Sequence, residues 1–200
     1  MWPLLVCSFV AMTVAFERMI FYARENAASR RHAHDTEKAL ELATQGRFDE
    51  AALLAKKSAS CEGRLVLTAI THRDMVLDET LETHALSELD RHRRGLTILD
   101  TIITLAPMLG ILGTVTGIIG SFDMLSSDGI QNPAGVTRGI AEALITTAAG
   151  LVVSIGALIP FNAFTSHIRS VTRDLEQTAY KAEVACARGV KVAQAFQPVK

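Results

Sequence analysis

The sequence has few aromatic residues and no clear excess of one charge. Only 6% of its 200 residues are aromatic, and 20 basic residues stand against 21 acidic ones. A nucleic-acid-binding surface needs a concentration of basic side chains, often with aromatic rings on which bases stack. The sequence has neither an excess of basic residues nor many aromatic ones, so we expect no nucleic-acid partner.

Cysteines and catalytic signatures are also scarce. The three cysteines, Cys7, Cys61 and Cys186, stand far apart without metal-ligand spacing, and an odd number cannot form a closed set of disulfides. The sequence lacks the phosphate-binding loop, the dinucleotide-binding glycines, the nucleophile elbow and the zinc-protease helix. His32 and His34 have no further ligand at zinc-like spacing. We therefore expect no enzyme, no metal site and no cofactor.

What the sequence does contain is apolar residues in long runs. They make up 49% of the chain, and residues 1–16, 101–122 and 143–166 include no charged side chain. About 20 helical residues cross a bilayer core of about 30 Å, because backbone polar groups in lipid must pair within their own segment. The sequence thus predicts an all-α integral membrane protein with transmembrane helices at 1–22, 96–122 and 139–165.

The positions of the arginines predict how these helices are oriented. A cleaved signal peptide would carry its basic residues before the apolar run, whereas here they follow it, beginning with Arg18. Arginines also cluster before the second span and after the third, which favours the cytoplasmic side. We expect a periplasmic N-terminus, a cytoplasmic helical region at 23–95, a periplasmic loop at 123–138, and a cytoplasmic C-terminal helix and tail at 166–200.

The 23–95 region has the composition of helices rather than of a disordered linker. Gly46 suits a helix C-cap, and Asp49 and Glu50 suit the first turn of the next helix, which together predict a helical hairpin. Apolar residues recur at helical spacing from Asp74 to Arg94. We expect one long helix there that continues into the second span.

The second span combines glycines with a polar seam. Gly110, Gly113 and Gly117 are spaced so that a neighbouring backbone can approach closely, and Pro107 removes one helical hydrogen bond and predicts a bend. At 100° per residue one face carries, in order, Asp100, Thr104, Pro107, Ile111 and Thr114. Since threonine hydroxyls also bond to their own helix, a structural role for Thr104 stays open.

The third span places Glu142 just inside the bilayer. A carboxylate there must face protein or water, take a partner, or bind a proton. This predicts either a proton relay or an interfacial carboxylate that reaches outward or pairs with Arg138 one turn earlier. A stripe of small residues that includes Gly150 runs beside it and favours close helix packing.

These spans resemble a known family. Residues 106–122, the segment 139–151, and Pro160 followed by Asn162 are similar to the conserved spans of the MotA/TolQ/ExbB proton-channel family, nearest its ExbB and TolQ branches. The resemblance implies a homopentamer in the bacterial inner membrane, with the second and third spans around a pore. It also implies an ExbD- or TolR-like single-span dimer in that pore, whose membrane aspartate carries protons. A TonB- or TolA-like protein would then be energised to act on the outer membrane.

Matching the family's motif assigns pore positions on this chain. Glu142 corresponds to the pore glutamate, and Thr114 and Thr147 to the pore threonines of spans two and three. Helical geometry instead favours Thr146 as the neighbour of Glu142, since it lies about 40° away while Thr147 lies about 140° away. Asp100 departs from the family pattern, and its shared seam with Thr114 suggests that it helps protons leave on the cytoplasmic side.

The sequence therefore predicts an ExbB-like subunit of a proton-driven motor that energises TonB-dependent outer-membrane transport. A TolQ-like subunit of the Tol-Pal envelope-integrity system is a close alternative, and a non-conducting three-span scaffold is a more distant one. Because Glu142 and Asp100 each lie near a span boundary, another subunit is expected to carry protons across the middle of the bilayer.

Overall fold

The computed structural model describes residues 2–73, 77–128 and 133–195, and within these ranges it contains six α-helices and no strand. Their bounds are α1 Trp2–Thr44, α2 Phe48–Lys57, α3 Cys61–Thr71, α4 Leu77–Arg93, α5 Leu96–Asp128 and α6 Pro133–Ala195. Of these, α1, α5 and α6 are long and apolar enough to cross a membrane. The predicted all-α class with three membrane-spanning helices is confirmed.

The helices contribute to two compact units. The apolar unit consists of Met1–Arg18 and Gly95–Thr165, and the charged unit consists of Met19–Arg94 and Ser166–Lys200. The beginning of α1, all of α5 and the first half of α6 belong to the apolar unit. The remainder of α1 and α6 joins α2, α3 and α4 in the charged unit.

The apolar unit has a small core in which alanines alternate with larger aliphatic residues. The core consists of Ala11, Ala106 and Ala157 together with Leu4, Leu99 and Ile102. Phe9, Met108 and many other large apolar side chains are exposed on its outer faces. Helices that pack in lipid show this arrangement, because small residues allow backbones to approach while lipid solvates the outer side chains.

The charged unit has a core of buried aliphatic side chains. Leu65, Val66 and Ile70 on α3 are almost completely buried, together with Leu175 on α6. The Ser60 hydroxyl caps α3 by accepting a hydrogen bond of 3.1 Å from the Gly63 N–H. Removal of these apolar groups from water stabilises the unit.

The turn predicted at Gly46 is confirmed. Gly46 adopts a φ of +79°, which glycine tolerates readily because it has no Cβ. The Arg47 N–H donates to the Leu42 carbonyl and the Gly46 N–H to the Ala43 carbonyl, both at 3.1 Å, as in a Schellman C-cap. Helix α2 then begins with Asp49 and Glu50 in its first turn, as expected.

The prediction of one helix running from Asp74 into the second span is wrong. Helix α4 ends at Arg93 and α5 begins at Leu96, and Gly95 between them has a φ of +79°. The apolar pattern stays helical on each side, so periodicity gives no sign of a break at a single glycine. Residues 74–76, where the predicted helix begins, lie outside the described residues.

Within the segment 123–138, predicted as a periplasmic loop, the described residues 123–128 and 133–138 are helical. Helix α5 extends to Asp128 and α6 begins at Pro133, where a proline suits the first helical turn. Residues 129–132 lie outside the described residues.

Candidate functional site

The Glu142 side chain lines an open groove of about 490 Å³ between α5 and α6 of the apolar unit. Four of its lining residues are glycines, Gly113, Gly117, Gly120 and Gly139, so backbone borders part of the space. The Thr116 and Thr146 hydroxyl-bearing side chains line it too. The groove therefore combines one carboxylate with two threonines on a small-residue surface.

Close approach of α5 and α6 depends on glycine. A Cβ added to Gly150 would lie 2.5 Å from the Ala106 carbonyl oxygen and 3.1 Å from Gly110 Cα. A Cβ on Gly117 would lie 2.7 Å from Ala143 Cβ, and one on Gly113 would overlap the Thr146 methyl group. All four glycines predicted for packing thus lie at this helix–helix contact.

Pro107 lies inside α5, directly after the buried Ala106 that faces Gly150. It lacks the N–H that would otherwise complete the helical ladder. The bend predicted at Pro107 stays a prediction.

Glu142 pairs with Arg138 on the rim of the groove. Arg138 Nε lies 3.2 Å from Glu142 Oε1, and the two side chains are 82% and 68% exposed in the single chain. This is the contact expected if Glu142 has an interfacial role. An exposed pair of this kind contributes little to stability, so it leaves the carboxylate available for other partners.

The two adjacent threonines of α6 have different partners. The Thr146 hydroxyl lines the groove with Glu142 and donates to the Glu142 carbonyl at 2.9 Å. The Thr147 hydroxyl donates across the helix contact to the Gly110 carbonyl at 3.0 Å. Thr146 therefore shares the groove with Glu142, and Thr147 ties α6 to α5; the pore roles of both stay predictions.

Thr114 and Asp100 lie apart from this groove. The Thr114 hydroxyl donates to the Ile111 carbonyl of its own helix at 2.7 Å, and the Asp100 side chain is exposed. Neither residue lines the Glu142 groove. Their proposed roles in a pore stay predictions.

One hydrogen bond between α5 and α6 was not predicted from the sequence. The Ser154 hydroxyl donates to the Ile103 carbonyl at 2.6 Å. The only available signal was a serine within the small-residue stripe, which does not reveal its partner 51 positions away.

A partly buried ion cluster in the charged unit was also not predicted from the sequence. Arg64 of α3 donates to both carboxylate oxygens of Glu88 on α4, at 2.9 and 2.7 Å, and to Glu25 of α1 at 3.2 Å. Burial by itself raises the pKa of Glu88. The hydrogen bond and charge of Arg64, with the charges of Arg91 and His84, outweigh burial and hold that pKa below its ordinary value. The cluster joins three helices of the unit.

Two of the three cysteines are buried in the charged unit. Cys61 and Cys186 are buried free cysteines, and burial raises the pKa of both thiols. Within residues 2–73, 77–128 and 133–195, no group of three or more His, Cys, Asp or Glu side chains is placed to hold a metal ion.

Residues 53–177 match the sequence model described as the MotA/TolQ/ExbB proton channel family. The chain is 40% identical to the biopolymer transport protein ExbB-like 1 of Synechocystis sp. over 172 residues, which are 83% of this chain and 66% of that protein. It is 34% identical to ExbB-like 3 of the same organism over 182 residues, which are 88% of this chain and 85% of that protein.

Another organism also has a similar protein. The biopolymer transport protein ExbB of Xanthomonas campestris is 33% identical over 120 residues, which are 60% of this chain and 47% of that protein. This match spans less than half the length of the Xanthomonas protein, and the first Synechocystis match spans just under two thirds of its relative.

Proposed function

Because the chain belongs to the MotA/TolQ/ExbB proton channel family, we propose that it is the ExbB-like subunit of a proton-driven motor in the bacterial inner membrane. In this proposal it assembles as a pentamer around the single spans of an ExbD-like dimer. Proton flow through the assembly energises a TonB-like protein that serves outer-membrane transport. Its N-terminus is periplasmic and its C-terminus cytoplasmic, following the arginine distribution.

The observation that carries the proposal is the groove at Glu142. Among the described residues that line this groove, Glu142 is the only one with an ionisable side chain, and Thr116 and Thr146 supply hydroxyls beside it. A carboxylate binds and releases a proton, and a hydroxyl can both donate and accept a hydrogen bond. A partner span against this glycine-lined surface would bring its own acid close to Glu142.

The available energy is sufficient for mechanical work. One elementary charge that crosses 100 mV releases about 2.3 kcal/mol. The free energy released by a few protons per step therefore exceeds the coupling free energy of about 1–3 kcal/mol that is typical between two allosteric sites.

Proton flux in liposomes tests the proposal. The chain is reconstituted with its ExbD-like partner, and flux is followed with an internal pH dye under an imposed gradient. We expect Glu142→Gln to abolish flux while the assembly keeps its size, because glutamine is isosteric but cannot release a proton. Wild-type flux through Glu142→Gln would refute the relay.

Arg138→Gln is the matched variant, because it breaks the ion pair but keeps the carboxylate. A relay predicts that this variant still conducts. If the chain is instead a scaffold whose assembly depends on the Arg138–Glu142 pair, the wild type passes no protons and both variants fail to assemble.

Asp100→Asn in the same assay tests the proposed cytoplasmic exit. We expect this variant to conduct protons more slowly than the wild type. Unchanged flux at every pH would exclude Asp100 from the path.

A further inference from the structure

A second groove, of about 530 Å³, lies on α1 within the charged unit. Alanines, including Ala23, Ala27 and Ala59, line it together with Arg24 and Arg31. Ile20 lines it at the end that lies toward the N-terminus of α1. The small alanine side chains leave room for a ligand beside the two arginines.

The charge of this groove is positive and unbalanced. Arg24 and Arg31 are exposed, and neither forms an ion pair or side-chain hydrogen bond with any residue that the structure describes. The carboxylate of nearby Glu25 is engaged by the Cys61 N–H and Arg64. His32, which also lines the groove, has its Nδ1 3.2 Å from Asp35 Oδ2. The two arginines therefore remain available for an anion.

The same face of α1 changes from apolar to basic within one turn. At 100° per residue, Ile20, Arg24 and Arg31 fall within about 40° of one another. Ile20 is an exposed apolar side chain. Arg24 lies about 6 Å beyond Ile20 along the helix axis, and side chains in a helix lean toward its N-terminus, here toward Ile20.

We propose that this groove binds the headgroup of an anionic phospholipid from the cytoplasmic leaflet. The acyl chains lie beside the exposed Ile20 side chain, and the phosphate lies between Arg24 and Arg31. Guanidinium groups bind phosphate oxygens through paired hydrogen bonds, which gives them an advantage over lysine at such a site. The inference rests on the membrane orientation in the proposed function and not on proton flow.

Lipid titration of the full chain tests the site. The protein is purified in a neutral detergent and titrated with phosphatidylglycerol, and bound lipid is counted by native mass spectrometry. We expect phosphatidylcholine with the same acyl chains to bind far more weakly. Each basic residue near a membrane surface contributes about fivefold, so Arg24→Gln with Arg31→Gln should weaken phosphatidylglycerol binding on the order of 30-fold. Both side chains are exposed, and circular dichroism checks that the helices are retained.

Arg30→Gln is the matched control. Arg30 is exposed at the same height on α1 but lies about 100° around the helix from Arg31 and does not line the groove. We expect less than a twofold effect. Equal weakening by Arg30→Gln, or no weakening by the double variant, would overturn the groove as the site.

Competition separates a lipid from a free phosphate ligand. Millimolar glycerol 3-phosphate should leave phosphatidylglycerol bound, since it lacks the acyl chains; full displacement would overturn the lipid assignment. The titration uses the chain without its partner and measures no flux. A conducting assembly with no lipid preference would therefore refute this inference alone, and the reverse result would refute only the proposed function.

Discussion

At the scale of single residues, Arg64 of the charged unit pairs with two carboxylates at once. Its partner Glu88 is only 5% exposed, and Glu25 shares the same guanidinium. Removing one member of a buried ion pair leaves an uncompensated charge, which typically costs several kcal/mol. We expect Arg64→Met to lower the free energy of unfolding by about 3 kcal/mol, measured by chemical denaturation in detergent.

Arg47→Met provides the comparison for Arg64. Arg47 also pairs with a carboxylate, Glu50, but both side chains are more than half exposed. Exposed ion pairs contribute about 1 kcal/mol or less. Similar losses for the two variants would show that burial of the Arg64 cluster does not govern its contribution.

A second residue-scale prediction concerns His167. Burial, and then the nearby His92, lower the pKa of His167, while Asp174 opposes them. The folded state therefore favours neutral His167, whereas the unfolded chain takes up a proton near pH 6.5. The stability that this group contributes is fully present above about pH 6.5 and is lost as pH falls toward the lowered folded-state pKa.

Melting temperatures from pH 7.5 to 5.5 check this dependence. We expect the wild type to lose stability below pH 6.5 and His167→Gln to lose less over the same range. Burial lowers the pKa of His84 as well, so a residual slope remains, and His84→Gln combined with His167→Gln should flatten it further. An unchanged slope in the double variant would show that other groups titrate there.

At the scale of helices, the sequence predicts what depends on local composition. The three spans were predictable because each needs only an uninterrupted charge-free run, whatever surrounds it. Gly46 was recognisable as a C-cap because an acidic first turn follows it. Gly95 was not, since helical patterns flank it on both sides and its positive φ leaves no trace in their periodicity.

Most contacts between helices could not be predicted from the sequence. Thr146 and Thr147 are adjacent in the sequence, yet one lies beside Glu142 and the other bonds to Gly110, a residue 37 positions away. Helical geometry could separate the two faces but could not name the partner on α5. The Arg64 cluster brings together residues 24 and 39 positions apart, which only the packing of three helices determines.

Glycine substitutions test the α5–α6 contact. A Cβ at Gly150 would meet the Ala106 carbonyl at 2.5 Å, a backbone atom that cannot move aside easily, so we expect Gly150→Ala to separate the helices and destabilise the apolar unit. Overpacking of this kind typically costs about 1–3 kcal/mol. Gly156 on the same helix has no atom within 4 Å of its Cβ position. Gly156→Ala should be neutral or slightly stabilising in the single chain, and thermal unfolding of the two variants in detergent measures the difference.

At the scale of the whole protein, the distribution of carboxylates limits what the chain can do alone. Within the predicted spans the acidic residues are Glu17, Asp100 and Glu142, and each lies within about one and a half turns of a span end. Most of the hydrocarbon core therefore has no acid of this chain to carry a proton. The large exposed apolar side chains of α5 and α6 form faces that further spans can cover.

We expect the chain reconstituted without its partner to leave liposomes proton-tight, even where it assembles. A proton that crosses the core without a carrier must be desolvated, which costs far more than the membrane potential supplies. Adding the proposed ExbD-like partner should open the path. Replacing the membrane aspartate expected in that partner with asparagine should close the path again while the complex stays intact. Flux from the chain alone that Glu142→Gln abolishes would contradict this division of labour, because it would show a complete proton path within one kind of subunit.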